Sequence, residues 1–375
     1  MQIGLDISPI IYGRGVSRYT SNLVRSLLAA GQALSLYGSS FRQHKQLESM
    51  ADELLAHHQN SSTVIRQLPP GLQQLAWRWG LAPVGARLPT IDVFHSWDWM
   101  QPPDKGLPLV STIHDLAMLK YPDTAHPRIL KAHQRSWKIL GERNAHIIAV
   151  SRATKKDVVE LLGIPDYRVH VVPEALPLEV KVQSDQLTQE AVEYVSKKYQ
   201  LDRPYILFVG TREPRKNLKR LIKAWQPLAS EVQLIIAGES GWDNSERISN
   251  NPHLRFLGRV SDATLSVLYA QAELVAYPSL YEGFGLPILE AFEYVTPVVT
   301  ANISSMPEVA GNAAVLVDPL EVESIRSGIT EILGESAQQQ KVRLQRMIIR
   351  KQLFDWETVT DATVQVYQKA LDEHS

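Results

Sequence analysis

The sequence predicts an α/β protein of two domains, each an open, mostly parallel sheet flanked by helices. Three observations carry this. At 375 residues the chain exceeds the usual ~50–250 residues of one domain. Short apolar, β-prone runs alternate with helical patterns up to residue 172 and again from residue 204, as in parallel strands joined by crossover helices. Between the two series lies Pro173-Glu174-Ala175-Leu176-Pro177, whose prolines break either pattern and mark a linker.

In the first series, residues 3–7 form a short apolar strand. The glycine-bearing loop Gly13-Arg14-Gly15 follows, then a helix over about 17–30 with Leu23, Leu27 and Leu28 on one face and Gly31 as its stop. Gly13-x-Gly15 is a weak dinucleotide signal, because the third glycine is missing and no acidic residue closes the next strand, 34–37. A phosphate or polar acceptor at the helix start is the more economical reading, and glycines serving only the turn are equally compatible. Residues 42–56 read as a helix and 63–66 as a strand. Leu72 to Trp79 is a small amphipathic piece with two Trp and one Arg, suited to a membrane interface or to packing under a loop. Strands at 92–95 and 109–113 follow, the second ending at His114-Asp115. A His there can donate to a substrate oxygen, with Asp115 able to hold its tautomer or cap the next turn. The series closes with a helix over 127–143, a strand over 145–150, a helix capped by Ser151 and stopped by Gly163, and a strand over 168–172.

In the second series, the strand 204–209 leads into Gly210-Thr211-Arg212-Glu213-Pro214-Arg215-Lys216-Asn217 and a helix over 218–225 that Asn217 is expected to cap. Arg212, Arg215 and Lys216 on one strand-to-helix loop fit a polyphosphate clamp, or a solvated basic loop. Strands at 233–238 and 254–260 precede a helix that Ser261 caps and that runs to Ala270. The buried run 274–277 then enters Ser279-Leu280-Tyr281-Glu282-Gly283-Phe284-Gly285-Leu286-Pro287-Ile288-Leu289-Glu290. Gly283 and Gly285 let the backbone approach a ligand, and the helix beginning at Leu286 offers free N–H groups to an anion. Glu282 lies before that helix and Glu290 one turn into it, so both carboxylates can face the crevice at the strand's carboxyl end. That layout suits a sugar nucleotide, and it also fits two solvated carboxylates on an ordinary turn. Strands at 297–300 and 313–317 and helices at 320–333, 335–352 and 356–372 complete the chain.

The composition narrows the classes. With 44% hydrophobic and 21% charged residues, a soluble globular chain is expected rather than a disordered or fibrous one. Cysteine is absent, which excludes disulfides and thiolate metal sites and fits a reducing compartment. The N-terminus enters a strand directly, with no charged region leading an apolar one, so no signal peptide is expected. No apolar run approaches ~18 residues. The net charge of −1 hides an asymmetry: residues 1–150 hold 15 Lys+Arg against 10 Asp+Glu, and the remainder 24 against 30. A basic front half fits an anionic partner (a phosphate-bearing acceptor, an acidic membrane surface or nucleic acid), and chance variation fits equally.

Taken together, these segments resemble a retaining glycosyltransferase of family 4. The resemblance spans essentially the whole chain. It rests on Gly13 to Tyr19, Thr112-Ile113-His114-Asp115, Ala149-Val150-Ser151, Phe208 to Asn217, Phe256 to Asp262, Phe354-Asp355-Trp356 and, most specifically, the E-x7-E motif Glu282–Glu290. It implies the GT-B fold: an N-terminal acceptor-binding Rossmann-like domain over 1–175, a C-terminal nucleotide-sugar-binding one over 176–355 facing it across a cleft, and a C-terminal helix over 356–375 crossing back. It implies that Glu290 holds the donor ribose, that Glu282 faces the donor sugar, and that the backbone of Gly283, Phe284, Gly285 and Leu286 meets sugar and diphosphate. Lys216 matches the phosphate-binding lysine. The usual arginine position is Thr211 here, leaving Arg212 or Arg215 as its replacement. Gly210 belongs to the same loop, the backbone at Arg259 and Val260 would meet the base, His114 would lie near the donor sugar and diphosphate, and Gly13 and Gly15 near phosphate and acceptor. No metal or cofactor is expected. The donor is a nucleotide-diphosphate sugar, GDP-mannose being the first candidate from similar mannosyltransferases, and the acceptor is a saccharide or lipid-linked saccharide. The expected setting is cytoplasmic, with inner-membrane contact through the N-terminal domain left open and nucleic acid not expected. Rival readings are a GT-B sugar-nucleotide 2-epimerase and a non-catalytic nucleotide-sugar-binding protein.

Overall fold

The structure is a computed structural model that describes residues 1–13, 15–122, 126–241 and 251–374. Arg14 of the glycine loop lies outside the described residues. The chain divides into two compact units. One holds Met1–Leu116, Ala125–Pro177 and Trp356–Ser375, the other Ala117–Thr124 and Leu178–Asp355.

The first unit contains β1 (Gln2–Asp6), α1 (Gly15–Ala29), β2 (Ala33–Ser39), α2 (His44–Leu55), β3 (Ser62–Arg66), α3 (Pro70–Arg78), β4 (Val93–Trp97) and β5 (Leu109–Ile113). The short α4 (Ala117–Lys120) is counted with the second unit, and α5 (Pro127–Glu142), β6 (His146–Ala149), α6 (Arg152–Leu162) and β7 (Val169–Val171) complete the first. Its seven strands run in the order β3-β2-β1-β4-β5-β6-β7, all parallel. Every residue of β4 and β5 is buried, because crossover helices cover both faces of a parallel sheet.

The second unit contains α7 (Leu178–Asp185), α8 (Gln189–Tyr199), β8 (Tyr205–Val209), α9 (Leu218–Trp225), β9 (Gln233–Ala237), β10 (Leu254–Gly258), α10 (Asp262–Gln271), β11 (Leu274–Tyr277), α11 (Leu286–Glu293), β12 (Val298–Ala301), α12 (Met306–Ala310), β13 (Val315–Val317), α13 (Val322–Leu333) and α14 (Ala337–Lys351). Its six strands follow the order β10-β9-β8-β11-β12-β13, again all parallel. The last helix, α15 (Trp356–Asp372), belongs to the first unit. Both units are therefore α/β and Rossmann-like. In each, the chain winds outward from a central strand and then restarts on its other side. The direction reverses between β1 and β4 in one sheet and between β8 and β11 in the other, and the carboxyl ends at such points are where ligands bind.

One core gathers Leu5, Leu23, Leu36, Trp97, Val110 and Ile148 with Val359, Val366 and Tyr367 of α15. The Tyr367 hydroxyl lies 2.6 Å from His95 Nδ1, and the Trp356 indole donates to the Leu176 carbonyl at 2.8 Å. Burial pushes the His95 ring down to about 3, so it is neutral and shares its bonds between Tyr367 and Thr112. The other core gathers Phe208, Leu221, Trp225, Ile236, Ala276 and Ile329.

In its elements and boundaries the structure departs from the sequence expectation in four places. Helices α7 and α8 precede β8, where none was expected. Among them only Val195 is buried, so no apolar stripe announces them. The helices α4 and α12 are also additions, each of at most five residues and so below the length at which periodicity is readable. The expected N-terminal domain, 1–175, loses α4 to the second unit, where Lys120 lies over the Tyr281 ring at 4.8 Å. Finally, α1 starts at Gly15 rather than residue 17.

Candidate active site

The carboxyl edge of the second sheet is drawn tight by close backbone approach. Gly210 N–H donates to the Ala237 carbonyl at 3.0 Å, and a Cβ on Gly238 would collide with the Gly210 carbonyl. After β8 the chain makes a 3-10 turn, Pro214–Lys216, and Asn217 takes a left-handed conformation at φ 61°. Asn217 does not cap α9 with its side chain, contrary to expectation. Its amide instead donates to the carbonyls of Pro278 at 3.0 Å and Pro319 at 2.6 Å. Leu280 N–H donates to the Arg215 carbonyl at 2.7 Å. These bonds lock the cationic loop after β8 onto the loop after β11, across the switch point.

The result is a buried charge cluster. Lys216 Nζ donates to Glu282 Oε1 and to the Tyr277 hydroxyl, both at 2.7 Å. Arg215 donates to Glu282 Oε2 at 2.8 Å, to the Tyr281 carbonyl at 3.1 Å and to Glu213 at 3.0 Å. Burial alone would raise the Glu282 carboxyl, but Lys216 and Arg215 outweigh it and hold it at about 2. Burial pulls the Lys216 ammonium below the ordinary lysine value, although Glu282 opposes this. Ser304 exchanges bonds with the Glu282 backbone at 2.7 and 3.2 Å. The Ser305 hydroxyl lies 2.9 Å from the Glu282 carbonyl and 2.6 Å from that of Phe284.

Helix α11 opens at Gly285, whose φ of 116° and lack of a side-chain cap leave the helix start to backbone N–H groups and the dipole. Only glycine takes that conformation without strain. The Phe284 side chain is buried, edge-on to Phe354 at 5.6 Å, so Gly283 to Gly285 presents backbone rather than side chain. Glu290 is buried one turn in, and the Tyr269 hydroxyl donates to its Oε2 at 2.7 Å. Arg212 is not part of the Glu282 cluster: its guanidinium sits 5.1 Å over the Phe256 ring. Arg259 is exposed and pairs with Glu239 at 3.1 Å. With Val260 it precedes the Ser261 cap, which accepts from Thr264 N–H.

In the first unit His114 follows β5. Its Nδ1 lies 2.7 Å from Glu174 Oε1, so the orienting carboxylate is Glu174 in the segment expected to be a linker, rather than Asp115. Burial disfavours the charged ring, but Glu174, with Asp98 and Asp115, outweighs it and raises the His114 pKa. The ring stacks on Trp97 at 6.0 Å and 17° and meets the Tyr19 edge at 4.9 Å. Its Nε2 is buried without a hydrogen-bond partner, which leaves that atom for a ligand oxygen. Gly13 closes the 3-10 turn Ser8–Tyr12 and Gly15 opens α1.

The sequence reading missed Tyr269, Tyr277, Glu174, Ser304 and Ser305. Tyr277 had a signal, a polar-tipped ring at the carboxyl end of a buried strand. The others reach their partners through the tertiary fold alone.

Two Rossmann-like sheets, one of them with paired carboxylates and two cations at its switch point, fit a glycosyltransferase of GT-B type. The model of Glycosyltransferase Family 4 matches residues 13–180, and that of Glycosyl transferases group 1 matches residues 193–347. The O-antigen chain mannosyltransferase B of Escherichia coli is 30% identical, over 98% of this chain and 100% of that protein. In fold, the chain resembles a glycosyltransferase from Rickettsia africae ESF-5 (TM-score 0.73, 17% identity, 99% and 98% coverage). It also resembles Anabaena Alr3699/HepE in complex with UDP and glucose (TM-score 0.68, 17% identity, 98% and 100% coverage). The chain belongs to the family 4-like GT-B glycosyltransferases.

Proposed function

We propose that this glycosyltransferase moves mannose, with retention, from GDP-mannose to a saccharide or lipid-linked saccharide acceptor in polysaccharide assembly. The observation that carries the donor half is the Arg215–Lys216–Glu282 cluster beside the uncapped start of α11. The full-length relative named as a mannosyltransferase supports the sugar. In this reading Glu290, steadied by Tyr269, holds the ribose hydroxyls, and Glu282 faces the donor sugar. The backbone of Gly283 to Leu286 meets sugar and diphosphate. The loop from Gly210 supplies Lys216 and Arg215 to the leaving diphosphate, with no metal. Arg212, Arg259 and Val260 line the same sheet edge toward the base. His114 donates from Nε2 to a donor oxygen, and the Gly13–Gly15 turn serves phosphate and acceptor.

The chemistry balances simply. The sugar C1–O bond to the β-phosphate breaks, an acceptor oxygen bonds C1 on the same face, and its proton passes to the leaving phosphate. A helix start contributes about 0.5–2 kcal/mol, well short of the roughly 8 kcal/mol or more that enzymes remove from a barrier. Lys216 and Arg215, already oriented by Glu282, supply most of the remainder. The mannosyltransferase relative favours sugar transfer over the rival readings, a 2-epimerase and a non-catalytic binder.

We place the protein at the cytoplasmic membrane face, touching it through α3. Among the described residues no helix is long and apolar enough to cross a membrane. In α3 Trp77 is buried, but Leu72 and Leu75 of the helix and Trp79 and Leu81 just beyond its end are exposed by 54, 47, 72 and 60%, with Arg78 among them, as in segments that lie on anionic bilayers. Flotation with anionic vesicles should capture the wild type and lose Trp79→Ser/Leu75→Ser, and equal capture of both rejects this contact.

Calorimetric titration with GDP, UDP and ADP tests the donor site. GDP should bind, and Glu290→Ala should weaken it. No binding by any of the three sinks the donor reading, and tighter UDP binding replaces the base.

A further inference from the structure

A cavity of about 590 Å³ lies at the switch point of the first sheet, within the ~300–1,000 Å³ of small-ligand sites. Its wall includes Tyr12 after β1, Gln74 of α3, Trp99 and Met100 after β4, and Arg128 and His133 of α5. Two features give it chemistry. The first is a stack of rings: Trp99 lies on Trp97 at 6.1 Å and 15°, and Trp97 on His114 at 6.0 Å and 17°. The stack runs from the histidine of the proposed reaction to the cavity wall, within one unit. The second is a buried carboxylate–imidazole pair. Asp98 Oδ2 lies 3.2 Å from His133 Nδ1 and accepts from the Trp137 indole at 3.3 Å. Asp98 thereby fixes the imidazole and leaves Nε2 as the nitrogen available to a ligand.

We propose that this cavity seats the terminal sugar of a saccharide acceptor, with Trp99 stacking on its apolar face and His133, positioned by Asp98, hydrogen-bonding one of its hydroxyls. The proposal rests on the glycosyltransferase reading and names the acceptor half of that site. A sugar suits both features at once, since it carries a C–H face for the indole and hydroxyls for the imidazole. A hydrocarbon chain would leave the imidazole unpaired and its desolvation uncompensated. The two roles differ. Trp99 and His133 touch the acceptor, and Asp98 acts through His133.

The experiment is steady-state transfer from GDP-mannose to octyl α-mannoside and to short α-manno-oligosaccharides. In Trp99→Ala and in His133→Ala the acceptor KM should rise about tenfold or more, with the donor KM and the GDP Kd within about twofold of wild type. The GDP Kd also reports that each variant is folded. Asp98→Asn should shift the pH profile of the acceptor KM and leave GDP binding intact. An unchanged acceptor KM in both variants, with GDP bound normally, overturns the acceptor site and spares the donor reading. So does a loss in Trp99→Ala that tracks the length of the alkyl chain rather than the sugar. If the wild type turns over none of these acceptors, saturation-transfer NMR on the same oligosaccharides decides. Signal lost in both variants upholds the site, and no signal with the wild type overturns it. Failure of the wild type to bind GDP rejects the donor reading instead.

Discussion

Glu282 sets the charge balance of the second unit's site. It neutralises part of two cations, the buried Lys216 and the half-buried Arg215, while Glu213 takes a share of Arg215. Its carboxyl is held at about 2 against an ordinary 4.5, so its contribution to stability is full above pH 4.5 and is lost as the pH falls toward 2. Glu282→Gln should therefore destabilise the protein by about 3 kcal/mol at neutral pH, with the deficit against wild type shrinking between pH 4.5 and 2. Urea unfolding across that range measures it, and a deficit independent of pH would show that Glu282 is not ionised in the fold. Sugar transfer by the same variant should fall severely. Tyr269 has a narrower part. Tyr269→Phe removes the donor to Glu290 and should weaken nucleotide binding about fivefold, near 1 kcal/mol. Calorimetry showing unchanged affinity would remove Glu290 orientation from its role.

Two short elements position these side chains. The first is the turn at Asn217, whose amide bridges the loops after β11 and β13. Asn217→Ala should cost about 2–3 kcal/mol, from two stranded carbonyls and a left-handed backbone that alanine resists. Asn217→Gly keeps the backbone ease and loses the bridge together with the bond that Oδ1 accepts from Arg220 at 3.0 Å. The variants should therefore rank wild type, glycine, alanine in thermal stability, and equal values for glycine and wild type would show that the bridge contributes nothing. The second is the start of α11, where φ at Gly285 is 116°. Gly285→Ala carries about 1–3 kcal/mol of backbone strain and should lower nucleotide affinity with it. An alanine variant with wild-type affinity would show that this backbone does not meet the donor.

At the scale of the molecule, α15 ties the chain's end to the first unit. Val359, Val366, Tyr367 and Ala370 complete that unit's core, and Ser26 donates to the Trp356 carbonyl at 3.0 Å. Removing residues 356–375 would uncover this core while leaving every strand of the second unit in place. Scanning calorimetry of the truncated chain should show the transition of the first unit lost or lowered by more than about 10 °C, with the second retained. Equal lowering of both would show that the units unfold as one.

What the sequence determined alone is the local part of this protein. The alternation of strand and helix, the buried runs of β5, β8 and β11, the caps at Ser151 and Ser261, and the placing of His114 after a strand, Glu282 before a helix and Glu290 one turn into it all follow from patterns within about twenty residues. The tertiary structure decided which of those groups meet. Arg212 and Arg215 share one loop and one charge, and only packing separates them, sending Arg212 onto Phe256 and Arg215 onto Glu282. The carboxylate that orients His114 stands 60 residues away at Glu174, beyond the reach of any local pattern. Asn217 was read as a cap because that is its local habit, and became a bridge because strand order brings the Pro278 and Pro319 carbonyls within reach. The physical reason is common to all three. Periodicity and capping are set by chain neighbours, whereas ion pairs and long-range hydrogen bonds depend on strand order and loop path, which no local pattern encodes.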